Sequence, residues 1–465
     1  MKKYKLYING EWIDSTSDDY IKVENPATQE IIAEVPAASK EDILKAIKSA
    51  KDSLISWRIL PKSKRIEYVE KMVEYFNIHK EEMAMTVLKE LGAPIKKALS
   101  VHIMPYIDNA LDYIRLAKSF SEIDYFDGYE VHKEPVGVVA AITPWNFPFG
   151  QIEKKLIPAL LMGNTVILKP SQQAPLSAYY VAKACEYANL PKGVFSLITG
   201  RGAEVGDVLA KHNDVNMISF TGSTTGGVEV ASLGLETMKR YSLELGGKSA
   251  AIILDSADYK KAAIDSIEGT FPNTGQACSS KTRILIPRKD KDVIEKYLIE
   301  AASKYVTGDP LDENVDMGPL SSKKQYDKVT SYIELGKKNF KVLFEGESIK
   351  GGYYVNPIIF TDVDNKHKIA QDEIFGPVIC VIYYDTIDEA IEIANDSIYG
   401  LHGMVFGDEE TSRYVASRVN TGQLQINGAK RTHNAPFGGY KLSGIGREGG
   451  IYGMEEYIEY KTLII

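Results

Sequence analysis

Three cysteines occur in the 465 residues, and one lies in FPNTGQACSSKTR, residues 271–283. Small polar neighbours around Cys278 suit an accessible loop leading into a helix, and a helix N-terminus favours the thiolate, which is the nucleophile. The commoner fate of a free cysteine is to fill space as a small hydrophobe. That reading suits Cys185, within YYVAKACEYA, and Cys380, within PVICVIYY. A nucleophile needs partners. Asn146, in ITPWNFPFG, follows an apolar run and is stiffened by Pro144 and Pro148. Its amide can donate to an oxyanion, although an isolated Asn more often simply forms a turn. Glu244, in LELGGKS, ends an apolar run before two glycines. A carboxyl so placed is either paired in the structure or held as a general base with a raised pKa.

Two glycine-containing segments could cradle phosphate. TGRGAEVG supplies Gly200, Gly202 and Gly206, and FTGSTTGG supplies Gly222, Ser223, Gly226 and Gly227. Each follows an apolar run and can open a helix, the geometry that suits a pyrophosphate. Neither matches G-x-G-x-x-G. Glu373, in DEIFGPV, can hold ribose hydroxyls or stand as a solvated acid at a helix end.

These residues need a frame. Residues 37–100 read as helices: one starts at Ser39, with Glu41 and Asp42 behind it and Ile43, Leu44, Ile47 and Leu54 near helical spacing. The next amphipathic stretch stops at Gly92, a C-cap signal. From residue 136 short apolar runs alternate with helical segments: 136–142, 165–171, 194–200, 215–222 and 241–247, with helices over 176–190 and 203–212. That alternation indicates a parallel sheet covered on both faces, with ligands bound at the rim where its strands end. A second series follows Gly247, in SAAIIL, TRILIP, PVICVIYY, HGMVFG and QLQIN. The fold class is therefore α/β, with two doubly wound parallel-sheet domains. DYFDGYEVHKEP and the terminal EYIEYKTLII fit neither core, and such strands often pair between subunits.

A net charge of −8 argues against nucleic acid or an anionic membrane as partner. The N-terminus lacks the apolar stretch of a signal peptide, and no apolar run is long enough to span a bilayer. Three dispersed cysteines and seven scattered histidines form neither a disulfide framework nor a metal pattern, which points to a reducing cytoplasm and no metal.

The motifs PWNFP, LKPS, FTGS, LELGGK, GQ.C and EIFGPV stand in the order and at the spacing of the aldehyde dehydrogenase superfamily, and the whole chain resembles it from LYINGEW to PFGGYKLSGIGREGG. The resemblance implies a cofactor domain over 1–123 and 136–245, a catalytic domain over 246–433, oligomerisation strands over 124–135 and 455–465, and a return of 434–454 to the cofactor domain. It implies a homodimer or homotetramer. It further implies that Cys278 attacks an aldehyde, that Asn146 and the Cys278 N–H hold the oxyanion, and that Glu244 activates water against the resulting thioester.

By the same likeness Glu373 orients the nicotinamide ribose of NAD or NADP, Phe375 packs beside it, and Lys169 reaches the adenine ribose. The likeness also implies cofactor-binding roles for Thr143, Pro144, Trp145, Ser171, Gly202, Gly206, Phe220, Gly222, Ser223, Leu245 and Gly246, with Trp145 and Ser223 lining the cleft. Gln172 stands where many relatives carry a ribose-binding Glu, which removes a charge that would repel NADP. Lys154 falls where relatives acting on apolar aldehydes have a large aromatic residue. With Arg431, Phe147 and Ser279 it is expected at the substrate tunnel. RTHNAPFGG resembles lactaldehyde and non-phosphorylating glyceraldehyde-phosphate dehydrogenases, so short polar aldehydes are expected: lactaldehyde, glyceraldehyde or its phosphate, succinic semialdehyde. The alternatives are a CoA-acylating relative, which would generally lack Glu244, and a non-catalytic binding protein on the same fold.

Overall fold

The computed structural model describes residues 2–347 and 349–465. Five parallel strands form the centre of an eight-stranded sheet: Arg240–Glu244, Met217–Thr221, Val138–Ile142, Thr165–Lys169 and Phe195–Leu197, side by side in that order. Every residue of the middle three is buried, which is why each reads as a continuous apolar run rather than an alternating one. The register sets Thr221 beside Glu244 and Ile142 beside Lys169. The C-terminal ends of four strands thus bring the Asn146 loop, Lys169, Gly222 and Glu244 to one rim. Gly444–Ile445 closes one edge, and the hairpin Leu6–Ile8 with Glu11–Ile13 closes the other, all antiparallel.

Seven strands form the second sheet, in the order Lys341–Glu345, Ile358–Thr361, Val378–Tyr384, Arg283–Pro287, Ala250–Ile253, His402–Phe406 and Gln423–Ile426. Only its first pair is antiparallel. Cys380 lies buried in this sheet, its thiol donating to the Ile369 carbonyl at 3.4 Å, and Cys185 lies buried in the helix Ser177–Tyr187. Ile123–Phe126, Tyr129–Pro135 and Ile458–Ile464 pair into a separate antiparallel sheet. It leaves Tyr125, Phe126, Tyr460 and Ile464 exposed.

The N-terminal helices run over Lys40–Arg58 and Lys62–Leu91. Ser39 caps the first through a reciprocal box with Asp42. Gly92 ends the second at φ 81°, in the left-handed region where a Cβ is unfavourable. Leu44, expected on the buried face, is 37% exposed; Ile43 and Ile47 carry the packing.

Candidate active site

Cys278 follows a short 3-10 turn, Pro272–Gly275, and precedes the strand Arg283–Pro287. No helix begins after it, which corrects the expectation of a helix N-terminus. The turn holds Asn273 and Thr274 at φ 54° and 57°, and the left-handed region is strained for a β-branched residue. Buried hydrogen bonds maintain it. Thr274 Oγ1 donates to the Gly318 carbonyl at 3.0 Å, and Gln276 Oε1 accepts from the Ser321 N–H at 2.9 Å. Asn273 Nδ2 donates to the Asn146 carbonyl at 2.9 Å, and Asn146 Nδ2 donates to the Gln276 carbonyl at 3.0 Å. The cysteine loop and the Asn146 loop are thereby locked together, although about 130 residues separate them.

Without a helix dipole, the thiol's environment is set by burial and by charged side chains. Burial pushes Cys278 up to about 12, the carboxyls of Glu244 and Glu373 add to this, and the Arg431 and Lys154 cations oppose it. Glu244 is 2% exposed, and among the described residues neither carboxyl oxygen has a hydrogen-bond partner. Burial, with the neighbouring Glu448 carboxylate, holds its pKa well above the usual carboxylate range, while Lys155, Lys154 and Arg447 oppose.

Two cavities meet at Cys278 and Gln151. The larger, about 700 Å³, is bordered by Pro144, Trp145, Asn146, Ser171, Gly202, Gly222, Ser223, Leu245, Gly246, Glu373 and Phe375. Gly202 starts the helix Gly202–Lys211, and Ser223 caps the helix Thr224–Gly234 by accepting the Gly226 N–H at 3.1 Å. Two helix N-termini thus face this space, a donor arrangement suited to a pyrophosphate. A Cβ on Gly246 would come within 2.7 Å of Glu373 Oε2, so only glycine leaves that carboxyl room. Glu373 Oε1 accepts the Gly247 N–H at 2.9 Å, and burial raises its pKa.

Phe375, at φ 62°, meets Trp145 edge to face with ring centroids 5.4 Å apart. Gln325 Nε2 donates to the Phe375 carbonyl at 2.7 Å, and Lys328 Nζ to the Glu373 carbonyl at 2.7 Å, so the helix Lys323–Asn339 anchors this segment. Thr143, Lys169, Gly206 and Phe220 are buried and do not border the cavity. The Phe220 ring lies beneath Gly222, and Lys169 Nζ donates to the Pro170 carbonyl at 3.2 Å, burial lowering its pKa to about 8. Gln172 is exposed and also outside the lining, between Ser171 and Gln173, which both belong to it. Shape, glycines and donors together fit a dinucleotide.

The smaller cavity, about 320 Å³, is bordered by Tyr106, Phe147, Lys154, Cys278, Ser279, Gln423, Arg431, His433 and Phe437 among others, with no Asp or Glu. Lys154 Nζ and the Arg431 guanidinium lie 4.9 and 4.8 Å from the centroid of the Phe437 ring. Among the described residues neither cation is in an ion pair, and Arg431 Nη1 meets only Ser279 Oγ, at 3.4 Å. Burial and these two cations lower the His433 pKa, which keeps its ring neutral near pH 7.

Residues 12–463 match the aldehyde dehydrogenase family. The chain belongs to that family. A relative from Staphylococcus haemolyticus is 43% identical over 470 residues, spanning 100% of this chain and 99% of its own. Among solved structures, aldehyde dehydrogenase C of Pseudomonas syringae, a cysteine-to-alanine variant in complex with NAD+ and octanal, is 39% identical with a TM-score of 0.96, covering 99% of this chain and 96% of that one. The NAD+ complex of the Bacillus cereus aldehyde dehydrogenase is 36% identical with a TM-score of 0.96, covering 100% and 96%. Betaine aldehyde dehydrogenase of Staphylococcus aureus with NAD+ is 34% identical with a TM-score of 0.94, covering 99% and 94%. The chain is thus an NAD(P)-dependent aldehyde oxidoreductase with the family's α/β fold. No helix among the described residues is long and apolar enough to cross a membrane.

Sequence reasoning missed several residues at this aldehyde dehydrogenase site: Gln151, Tyr106, His433 and Phe437 at the cavities, and the Lys155–Glu448 ion pair behind Glu244. A signal existed for some of them. Every residue of the helix Pro148–Leu161 except Lys154 is buried, so Gln151, Glu153 and Lys155 are polar interruptions in an otherwise core-forming stretch. Buried polar groups need partners, and these were unassigned.

Proposed function

We propose that this enzyme oxidises short polar, hydroxylated or acidic aldehydes to carboxylic acids and hydrolyses its own thioester. The observation that carries the reading is the cavity that reaches Cys278: it holds two unpaired cations and no carboxylate. An anionic or hydroxylated tail would be drawn there, and guanidinium matches carboxylate or phosphate well. Lactaldehyde, glyceraldehyde or its phosphate, and succinic semialdehyde are the candidates.

In this reading Cys278 Sγ bonds to the aldehyde carbon and gives a thiohemiacetal on the cysteine. Asn146 keeps one amide hydrogen for the developing oxyanion, with the Cys278 N–H as second donor. NAD or NADP, when bound, supplies the hydride acceptor. Glu373 and the Trp145–Phe375 pair would hold its nicotinamide end, and Gly202, Gly222 and Ser223 its phosphates. Glu244 then takes a proton from water as the hydroxide attacks the thioester, and the acid leaves. The presence of Glu244 favours water over CoA as acceptor. The exposed three-stranded sheet would pair with another copy in a dimer or tetramer, and the cysteine usage favours the cytoplasm.

Removing Arg431 tests the substrate class. Losing a charge-assisted hydrogen bond of about 2 kcal/mol corresponds to roughly thirtyfold. Arg431→Ala, and Lys154→Ala to a smaller degree, should therefore lower kcat/KM for succinic semialdehyde by about tenfold or more while changing propanal little. Wild-type preference for octanal, unaltered in both variants, would refute the assignment.

Cofactor choice has its own test. A Glu at position 172 would set a carboxylate near the NADP 2′-phosphate. Two unit charges about 4 Å apart repel by roughly 4 kcal/mol at an effective dielectric near 20, and the exposure of Gln172 reduces this considerably. Gln172→Glu should lower the NADP-to-NAD ratio of kcat/KM by about three- to tenfold. An unchanged ratio, or a wild type unable to use NADP, defeats this idea.

A further inference from the structure

Gln151 is 5% exposed, and its Oε1 is buried with no hydrogen-bond partner among the described residues. A buried acceptor left unpaired is costly, and beside a cavity it can be satisfied by a donor that the ligand brings. Among the described residues, Gln151 and Cys278 are the two that border both cavities, so this carboxamide stands at the junction where the reacting carbon must lie. The helix Pro148–Leu161 sets its direction. The Gln151 N–H donates to the Phe147 carbonyl at 2.9 Å, and Phe147, Gln151 and Lys154 follow four and three residues apart, hence along one face. All three border the smaller cavity. The face leads from the Asn146 loop, past Gln151, to the cation of Lys154.

Tyr106 supplies a second polar group. It belongs to the helix Met104–Ser119 and borders the same cavity. A Cβ on Gly150 would come within 2.2 Å of Tyr106 Cζ, the carbon that carries the hydroxyl. Glycine at 150 therefore lets the tip of that ring lie against the backbone next to Gln151. Burial raises the pKa of the phenol, so it stays protonated and can both donate and accept.

The tetrahedral carbon formed on Cys278 has four substituents. One is the sulfur, one is the oxygen held by Asn146, and one is the hydrogen facing the dinucleotide cavity. The remaining bond, to carbon 2 of the substrate, must enter the smaller cavity. A substituent on carbon 2 is then the first group to meet Gln151. Lys154 and Arg431 border only the smaller cavity and meet what lies further along the substrate.

We propose that Gln151 and Tyr106 form a recognition site for a hydroxyl on carbon 2, so that among polar aldehydes the enzyme selects 2-hydroxyaldehydes. The substrate hydroxyl donates to Gln151 Oε1 and accepts from the Tyr106 hydroxyl. An aldehyde without it leaves the buried carboxamide oxygen unpaired, and a site built to hydrogen-bond a hydroxyl discriminates strongly against the analogue lacking one. Both residues determine specificity and neither makes or breaks a bond.

The inference rests on the smaller cavity as the place of a polar substrate, and the test separates the two. Lactaldehyde and propanal differ by the 2-hydroxyl alone, and comparing their kcat/KM ratio between variants cancels the hydration of each aldehyde in water. Wild type should favour lactaldehyde by about tenfold or more, and 3-hydroxypropanal, with its hydroxyl one carbon further, should gain far less. Gln151→Met keeps the length and apolar volume of the side chain, and the lactaldehyde-to-propanal ratio should fall in it by about tenfold. Tyr106→Phe keeps the ring against Gly150, and the ratio should fall several-fold; this variant serves if Gln151→Met does not fold. A wild type without preference for lactaldehyde, or a ratio unchanged by these substitutions, overturns the proposal. So does an equal loss for both aldehydes with a raised KM for NAD+, which would place Gln151 on the cofactor. Succinic semialdehyde has no 2-hydroxyl, so its loss in Arg431→Ala reports the cationic cavity alone. That loss without a lactaldehyde preference overturns the hydroxyl site while the cavity reading stands.

Discussion

Cys278→Ser is expected to lower kcat/KM by at least about 10⁴-fold, or roughly 5.5 kcal/mol of transition-state stabilisation, while NAD+ still binds. The reason lies in the geometry around the sulfur. Cys278 is the one cysteine that borders both cavities, and the Asn273–Gln276 turn aims it between them. A serine keeps the shape, so the turn and the dinucleotide cavity should persist. Its hydroxyl is a far weaker nucleophile, because an alcohol gives up its proton far less readily than a thiol and oxygen is intrinsically less nucleophilic toward the carbonyl than thiolate sulfur. Cofactor titration by protein fluorescence and stopped-flow measurement of reduced nicotinamide would report the two properties separately. Cys185→Ala is the control, since that side chain lies in the helix Ser177–Tyr187 away from both cavities, and the variant should remain active. Activity of Cys278→Ser within tenfold of wild type would mean that another group attacks the aldehyde.

What the sequence made legible follows from where burial leaves a pattern. Strands buried on both faces, such as Val138–Ile142 and Met217–Thr221, stand out as apolar runs between turns. The site residues at their ends are legible because strand, loop and polar residue are contiguous in sequence. The edge hairpin Leu6–Ile8 with Glu11–Ile13 was not assigned to the sheet, since its place depends on Tyr7 pairing with Leu197. The ion pair of Lys155 with Glu448 spans 293 positions, and no local pattern announces it. The loop after Cys278 is ambiguous in sequence for a different reason. Small polar residues suit a helix start and an irregular turn equally, and here buried side-chain hydrogen bonds to Gly318 and Ser321 decide for the turn. Lys154 and Arg431 could be assigned to one tunnel, but their shared contact with Phe437 is tertiary.

Glu244→Gln should separate the two half-reactions. Amide and carboxyl are nearly the same size, and neither Glu244 oxygen has a hydrogen-bond partner among the described residues to lose, so the fold should tolerate the change. A general base is worth about 10²- to 10⁴-fold. Steady-state turnover should therefore fall by about that factor, limited by hydrolysis of the thioester. The first half-reaction should hold or quicken. The Glu244 carboxyl is one of the groups that push the Cys278 thiol upward, and removing an anion lowers the pKa of a neighbouring thiol, so the thiolate fraction near pH 7 should rise. Stopped-flow traces should then show a burst of reduced nicotinamide approaching one per active site, followed by slow release, with the acyl-enzyme trapped and visible as added mass on the Cys278 peptide. Loss of the burst together with turnover would place Glu244 in the attack on the aldehyde, as the base that takes the thiol proton, and water activation would then fall to another group.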